Sequence, residues 1–288
     1  MKAMILAAGL GTRLRPLTDT RPKALVEMAG RTLLEITLTR LRAFGISEVI
    51  VNVHHFADLV IDYLKSNKNF GLRIEISRED VLLDTGGGLK KAAWFFLENS
   101  TLANPSRSDS TQPDEPFLLH NVDVTSTIDF ARMLQFHKEH HALATLAVQA
   151  RETSRPLLFD NHLQLRGRRV GPEQDPELVR DPPAGVPPQD AALAVPESPE
   201  RLEALAPEVK SSQPLQPLAF SGIHLISPRL LPMLTEEGVF SIIPAYLRLA
   251  AQGQNILAFR ADAYYWRDLG RPADLAQAAY DLQPRALS

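Results

Sequence analysis

The chain begins with a short apolar segment that leads directly into a glycine-containing loop carrying positive charge. Residues 2–6 have the pattern of a buried strand, and the loop that follows contains Gly9, Gly11 and Arg13 and ends at Lys23. Glycines let the backbone approach an anion closely and present its N–H groups, and the cations add attraction for the same anion. This segment therefore predicts a polyphosphate pocket at the end of a strand.

The familiar phosphate loops do not match this spacing. A Walker A loop requires Lys and then Ser or Thr directly after its last glycine, whereas Gly11 is followed by Thr12 and Arg13. The dinucleotide fingerprint requires a third glycine at the position of Leu14. The loop therefore indicates a different kind of phosphate site.

Composition excludes several classes of function. The 288-residue chain has a formal charge of -3, which gives no reason to expect nucleic acid or an anionic membrane as a partner. It contains no cysteine, so disulfides, thiolate nucleophiles and cysteine-ligated metals are excluded. No apolar run approaches the roughly 20 residues of a membrane span, and the start lacks a signal-peptide core. We therefore expect a cytoplasmic protein that acts on a small anion.

Strand and helix patterns alternate through much of the chain, which predicts an α/β fold with a mostly parallel central sheet flanked by helices. Strand patterns occupy residues 2–6, 48–53, 72–77, 117–121, 142–149, 218–226, 256–260 and 265–269. Helical patterns occupy residues 32–45, 56–65, 88–97, 128–140, 228–234, 241–252 and 272–282.

Two segments interrupt the alternation within a single domain spanning residues 1–288. Residues 99–116 are rich in Ser, Asn, Asp and Pro, which predicts a mobile surface connection. Residues 170–217 hold half of the chain's 22 prolines, which predicts a loop-like insertion with one short helix at 198–206. The chain shows no repeat of the kind that builds a β-helix tail.

Two carboxylates follow predicted strands. Asp123 comes just after the strand at 117–121, and Asp268 lies at the end of the strand at 265–269. Ligands bind at the carboxyl ends of parallel strands, so Asp123 is expected in the same crevice as the glycine loop. Mg²⁺ uses few protein oxygens and completes its octahedron with water and phosphate oxygens. The two side chains therefore predict a Mg²⁺ site.

A second glycine motif precedes the predicted helix at 88–97. Asp84 and Thr85 are followed by three glycines, Gly86, Gly87 and Gly88. A backbone without side chains can lie flat against a nucleobase and form hydrogen bonds with its edge. The motif is therefore a candidate base-binding segment.

Taken in order, these segments resemble the sugar-1-phosphate nucleotidyltransferases over nearly the whole chain. The resemblance is carried by residues 4–13, 21–23, 86–88, 121–123, 220–223 and 266–270. Within the family, the chain most resembles the short uridylyltransferases that act on N-acetylmuramate 1-phosphate. This resemblance implies a Rossmann-like fold, with a nucleoside triphosphate and a sugar 1-phosphate as substrates.

The resemblance also implies roles for individual residues. The nucleotide would be held by Leu6, Ala8, Gly9, Gly11, Thr12, Arg13, Asp84, Gly87 and Gly88. Catalysis would rest on Arg13, Lys23, Asp123 and Asp268, with the two aspartates as the Mg²⁺ ligands. The sugar phosphate would be bound by Asn121, Arg155, Ser221 and Gly222.

The chain departs from the family pattern on the sugar side. Val122 stands where many relatives carry glycine, and the Glu-Lys-Pro element of larger relatives is missing, so Arg155 is the proposed substitute. The base, the sugar and the choice between monomer and homodimer stay open. Two alternatives also stay open: a phosphocholine-type cytidylyltransferase, and a catalytically silent sensor of nucleotide sugars.

Overall fold

The computed structural model describes residues 1–98, 115–171, 174–179 and 214–282. Most of the predicted connection at 99–116 and of the proline-rich insertion at 170–217, with its helix at 198–206, lies outside the described residues. The strands are β1 Lys2–Leu6, β2 Glu27–Met28, β3 Arg31–Thr32, β4 Glu48–Val53, β5 Arg73–Arg78, β6 Phe117–Asn121, β7 Val124–Ser126, β8 Ala144–Gln149, β9 Leu157–Phe159, β10 Leu165–Arg168, β11 Glu177–Leu178, β12 Gln216–Ile226, β13 Ile256–Arg260 and β14 Trp266–Asp268. The α-helices are α1 Leu33–Ala43, α2 Ala57–Ser66, α3 Asp84–Lys91, α4 Ala93–Leu97, α5 Phe130–Glu139, α6 Ile242–Ala251 and α7 Pro272–Asp281.

A ten-stranded mixed sheet forms the centre of the fold and divides into two halves. In the parallel half, β5, β4, β1 and β6 lie side by side and all run in the same direction. In the mixed half, β12 runs antiparallel to β6 and pairs along its length with β8 and β9, while β10, β11 and β13 extend the sheet. The predicted α/β fold with a central sheet flanked by helices is confirmed.

Helices cover both faces of this sheet. Along β1, Ile5 faces one apolar cluster with residues of α1, α2, α5 and α7, and Met4 faces a second cluster with residues of α3, α4 and α6. Successive side chains of a strand alternate between faces, so burial on both sides requires a continuous apolar run. This explains why β1 is apolar from Ala3 to Leu6. Among the described residues, no helix is long and apolar enough to cross a membrane.

Local patterns located most elements closely. Thr32 caps α1, because its Oγ1 accepts a hydrogen bond from the Glu35 N–H at 3.0 Å. The predicted helix at 88–97 is wrong at its start and in its continuity, since α3 begins at Asp84 and Ala92 separates it from α4. Patterns also missed the short strands β2, β3, β7, β9, β10 and β11.

A two-stranded ribbon outside the main sheet joins distant parts of the chain. Strand β14 pairs antiparallel with β7, which places Asp268 opposite Val124. The Leu269 N–H then donates to the Asp123 carbonyl at 2.7 Å. The ribbon therefore brings the end of β14 to the end of β6, although the two strands are far apart in sequence.

Candidate active site

The glycine loop after β1 is folded back on itself and leaves one side open. Gly11 has a φ of +64°, and a Cβ there would lie 2.9 Å from Thr18 Cγ2. Thr18 Oγ1 donates to the Gly11 carbonyl at 2.9 Å, and Leu14 is fully buried beneath the loop. A Cβ on Gly9, by contrast, would meet no atom within 4 Å. The exposed backbone around Gly9 is therefore where an anion could approach.

The cations of this loop lie against the two strand-end carboxylates. The Lys23 ammonium directly contacts the Asp123 carboxylate, and the two side chains are only 12% and 16% exposed. Arg13 Nη2 lies 3.6 Å from Asp268 Oδ1 in a pair that is about half exposed. The structure therefore brings the four predicted catalytic residues together as two ion pairs.

Backbone contacts around Asp268 hold its carboxylate beside Arg13. The Gly270 N–H donates to Asp268 Oδ1 at 2.7 Å. A Cβ on Gly270 would lie 2.5 Å from both Arg13 Nη2 and Asp268 Oδ1. A side chain at this position would therefore shift Arg13 or Asp268 from the observed arrangement.

The donor set formed by Asp123 and Asp268 suits Mg²⁺. Both donors are carboxylate oxygens, and each already faces a cationic group, Lys23 or Arg13, so the position favours positive charge. Within the described residues, no group of three or more His, Cys, Asp or Glu side chains could hold a metal. A pair of carboxylates is what Mg²⁺ uses when substrate phosphates and water supply the remaining ligands.

The second glycine motif packs closely against other parts of the protein. The N–H groups of Gly86 and Gly87 both donate to the Phe240 carbonyl, at 2.9 and 3.2 Å, and a Cβ on Gly86 would overlap the Phe240 ring. These two N–H groups are therefore occupied, which differs from the expectation that they are free for a nucleobase. Asp84 is exposed at the start of α3. Base contact at Asp84, Gly87 and Gly88 stays a prediction.

On the predicted sugar side, Asn121 and Gly222 are neighbours. Gly222 has a φ of +71°, and a Cβ there would lie 2.8 Å from Asn121 Nδ2. Ser221 is fully buried, its hydroxyl has no partner among the described residues, and its carbonyl accepts from Trp266 Nε1 at 2.7 Å. The Ser221 side chain is therefore below the surface of the site and not on it.

Two arginines, Arg151 and Arg155, follow β8 and lie in different environments. Arg155 is exposed, and its backbone N–H donates to Thr153 Oγ1 at 3.2 Å. Arg151 stacks its guanidinium 3.7 Å from the centroid of the Trp266 ring and donates from Nη2 to the Phe220 carbonyl at 2.7 Å.

Arg151 is thus a cation of the site that sequence reasoning missed. Burial lowers the pKa of Arg151, and the negative charge of Asp268 acts in the opposite direction. Its Nε is buried without a partner among the described residues. Its place just beyond the end of β8 was the available signal, because strand ends had already identified Asp123 and Asp268.

Comparisons with known proteins agree with this geometry. Residues 2–159 match the family model described as nucleotidyl transferase. The chain is 32% identical to the N-acetylmuramate alpha-1-phosphate uridylyltransferase of Caulobacter vibrioides, over 96% of this chain and 95% of that protein. It is also 36% identical over 149 residues to the mannose-1-phosphate guanylyltransferase catalytic subunit beta of Dictyostelium discoideum, a match that spans 51% of this chain and only 37% of that relative.

A solved structure shares the fold. The crystal structure of HddC from Yersinia pseudotuberculosis complexed with GMP-PN superposes with a TM-score of 0.64 at 18% sequence identity. The match covers 98% of this chain and 99% of that chain. The architecture is therefore common to the two proteins over essentially their full lengths.

Proposed function

The chain belongs to the nucleotidyl transferase family, and we propose that it forms a nucleotide sugar and pyrophosphate from a nucleoside triphosphate and a sugar 1-phosphate. One observation carries this proposal: the cations of the glycine loop converge on two strand-end carboxylates beside an open stretch of backbone. Such a site can bind a triphosphate and stabilise the charge that develops during transfer.

The two ion pairs suggest how the site accepts its substrate. The triphosphate would lie along the exposed backbone from Gly9 to Thr12, and Arg13 and Lys23 would exchange their carboxylate partners for phosphate oxygens. Asp123 and Asp268, released from those pairs, would hold Mg²⁺. When bound, Mg²⁺ would neutralise phosphate charge and help to orient the triphosphate. The cations and carboxylates would therefore act together on one substrate.

The reaction itself would be an in-line displacement at the α-phosphorus. An oxygen of the sugar phosphate forms a bond to that phosphorus, the bond from the α-phosphorus to the bridging oxygen breaks, and pyrophosphate leaves. The nucleophile is already anionic near neutral pH, so no general base has to remove a proton. The protein would contribute positioning and charge neutralisation, with Lys23 and Arg13 as the closest cations.

For the sugar phosphate we propose a site formed by Asn121, Gly222 and Arg151. Arg151 is half-buried and lies close enough to Asp268 for the carboxylate charge to act on its pKa. It could therefore hold an anion next to the reacting phosphate. Arg155, predicted from the sequence for this role, is exposed and makes a local backbone hydrogen bond. We therefore give the main role to Arg151 and test both.

For the substrates, we propose UTP and N-acetylmuramate 1-phosphate. The support is the similarity to the Caulobacter uridylyltransferase, which extends over nearly the whole of both chains. The match to the guanylyltransferase covers about half of this chain and so gives weaker support for GTP and mannose 1-phosphate.

A pyrophosphate-release screen tests the function. Four nucleoside triphosphates would be combined with N-acetylmuramate 1-phosphate, glucose 1-phosphate, mannose 1-phosphate and phosphocholine. We expect the fastest release with UTP and N-acetylmuramate 1-phosphate, loss of release in EDTA, and recovery with added Mg²⁺. Release with phosphocholine and with none of the three sugar 1-phosphates would contradict the sugar assignment. No release in any combination, together with binding of a nucleotide sugar, would identify a silent sensor.

A further inference from the structure

A buried polar chain lies beneath the nucleotide side of the proposed site. The Ala7 N–H donates to Asn52 Oδ1 at 2.7 Å, and Asn52 Nδ2 donates to Glu79 Oε1 at 2.7 Å. The Leu83 N–H donates to Glu79 Oε2 at 2.9 Å. Asn52 and Glu79 are each 3% exposed. We call this chain of four residues the relay.

The two ends of the relay belong to two different parts of the proposed nucleotide site. Ala7 immediately follows β1, two residues before Gly9 in the phosphate loop. Leu83 immediately precedes α3, which carries the second glycine motif. Asn52 stands beside Leu6 in the register of β4 and β1, so it lies directly next to the start of the phosphate loop. The relay therefore connects the phosphate loop to the glycine motif.

Hydrogen bonding gives the relay a fixed direction. The backbone N–H groups of Ala7 and Leu83 can only donate, so the side-chain atoms that face them must be acceptors. The two inner atoms must then be one donor and one acceptor, which Asn52 Nδ2 and Glu79 Oε1 provide. Because both ends are backbone donors, buried at Ala7 and partly buried at Leu83, a mismatch anywhere in the relay would leave a donor without its partner.

Gly88 leaves the space that the relay occupies. A Cβ on Gly88 would lie 2.8 Å from Glu79 Oε1 and 2.9 Å from Asn52 Nδ2. These distances are shorter than real Cβ contacts, so a side chain there would displace the bond between the two groups. Close packing against Asn52 and Glu79 therefore accounts for a glycine at position 88, whether or not a base binds there.

We propose that Asn52 and Glu79 are positioning residues for the nucleotide, which hold the phosphate loop and the glycine motif at the separation that a nucleoside triphosphate requires. The inference rests on the proposed function in taking the loop as the triphosphate site, and on the predicted base contact at the glycine motif. A nucleotide joins its base to its phosphates through a sugar of limited length, so the two protein elements must keep a matching spacing. Small displacements of a preformed site reduce binding.

Reversing the inner hydrogen bond of the relay tests this proposal. In Glu79→Gln, the new NH₂ group is a donor that must face either Asn52 Nδ2 or the Leu83 N–H, which are donors too. Rotating the Asn52 amide would relieve the first conflict but would place Asn52 Nδ2 against the Ala7 N–H, which is also a donor. In Asn52→Asp, two carboxylate oxygens face each other. In the double variant, the carboxylate introduced at position 52 would accept from Ala7 and from the amide introduced at position 79. The oxygen of that amide would accept from Leu83, so every bond is restored and the inner one is reversed.

The measurement is the dissociation constant for UTP with Mg²⁺, obtained by calorimetry on the full chain. We expect each single variant to weaken binding about ten- to a hundredfold, as for a buried donor left without a partner. The double variant should return to within about threefold of the wild type. Glu75→Gln is the matched control, because Glu75 lies on β5, the strand that leads to Glu79, and this variant should bind as the wild type does.

Several results would overturn the proposal. Single variants with lower melting temperatures and unchanged UTP affinity would show that the relay serves stability alone. A double variant that binds no better than the weaker single variant would show that the direction of the hydrogen bonds is irrelevant. If the single variants do not fold, Gly88→Ala disturbs the same junction, and unchanged UTP affinity in that variant would equally contradict the proposal.

This test does not depend on turnover, so it separates the inference from the proposed function. Wild-type protein that binds UTP but releases no pyrophosphate with any acceptor would contradict the proposed function and leave the affinity comparison intact. Wild-type protein with full activity and relay variants of unchanged affinity would contradict the relay alone. Wild-type protein with no affinity for UTP or any other nucleoside triphosphate would contradict both.

Discussion

The parallel and mixed halves of the sheet contribute to the site in different ways. In the parallel half, β1 pairs with β4 and β6 in uninterrupted register, and the strand ends carry the phosphate loop, Asn52 and Asp123. In the mixed half, the pairing of β12 with β8 shifts register between Phe220 and His224, at an irregularity of the strand that contains Gly222. The comparison indicates that the proposed nucleotide site lies on a regular scaffold, whereas the proposed sugar site lies where the sheet is irregular.

The largest predicted effect is at Asp268, which the ribbon of β7 and β14 brings to the end of β6. Asp268 lies outside the residues matched by the family model, yet the ribbon brings it to Asp123. Asp268→Asn should lower kcat about a hundred- to a thousandfold, because it removes a carboxylate that would hold the Mg²⁺ that neutralises the charge of the reacting phosphate. Asp274→Asn is the control, since Asp274 forms a comparably exposed pair with Arg267. Equal losses in the two variants would mean that the ribbon, and not the carboxylate, is what matters.

A second prediction concerns the seam where β6 meets β12. Burial lowers the pKa of His120 to about 4, with the charge of Arg40 adding to the effect. Burial likewise lowers the pKa of His224 to about 3, with the charge of His120 adding to it. Both imidazoles are thus neutral in the folded protein at pH values where the unfolded chain, with a pKa near ~6.5, binds protons.

The sign follows from this difference in proton binding. Stability is complete above the unfolded pKa and is lost as the pH falls from that value toward the folded pKa. Between pH 7.5 and 5.5, we expect the free energy of unfolding in urea to fall by about 1 kcal/mol for each histidine. His224→Gln keeps a hydrogen-bonding group beside the Tyr246 hydroxyl and should reduce the loss by about half. A free energy that stays constant over this range would contradict the assignment.

The third prediction separates the two arginines after β8. Arg151→Gln should raise KM for the sugar 1-phosphate about tenfold, because it removes a charged hydrogen-bonding group, and should leave KM for UTP unchanged. Arg155→Gln should change neither constant by more than about twofold, since Arg155 is exposed and makes only a local backbone hydrogen bond. A larger rise in KM for the sugar 1-phosphate in Arg155→Gln would indicate that Arg155 binds the sugar phosphate, as expected from the sequence.

The smallest predicted effect is at Ser221. Its buried hydroxyl has no partner among the described residues, so Ser221→Ala removes no hydrogen bond. The free energy of unfolding should change by less than about 1 kcal/mol, and KM for the sugar 1-phosphate should stay the same. A severalfold rise in that KM would show that the hydroxyl reaches the sugar when substrate binds, as the sequence predicted.

Sequence patterns predicted the parallel half more closely than the mixed half. Strands β1, β4 and β6 have the expected bounds, because each is a short apolar run between turn signals. Strand β12 was expected at 218–226 and extends from Gln216 to Ile226, and its pairing with three neighbours depends on contacts between distant segments. Local periodicity carries no information about such pairings.

The candidate site shows the same limit. Arg13, Lys23, Asp123 and Asp268 could be named because each lies beside a glycine turn or a strand end. Sequence alone did not show that they form two ion pairs, since the ribbon that creates the second pair depends on β7 and β14 meeting. Asn52 and Glu79 gave no signal, because each hydrogen bond of the relay that involves Asn52 joins residues that only the fold brings together.

In the proposed site, Asp123 from the parallel half and Asp268 from the ribbon would hold one ion together. A double-mutant cycle measures this directly, with kcat for Asp123→Asn, Asp268→Asn and the double variant under saturating substrates and Mg²⁺. If both carboxylates hold the same ion, the double variant loses no more activity than the worse single variant, about a hundred- to a thousandfold. A double variant whose loss is the product of the two single losses would show that the two carboxylates act independently and do not share an ion.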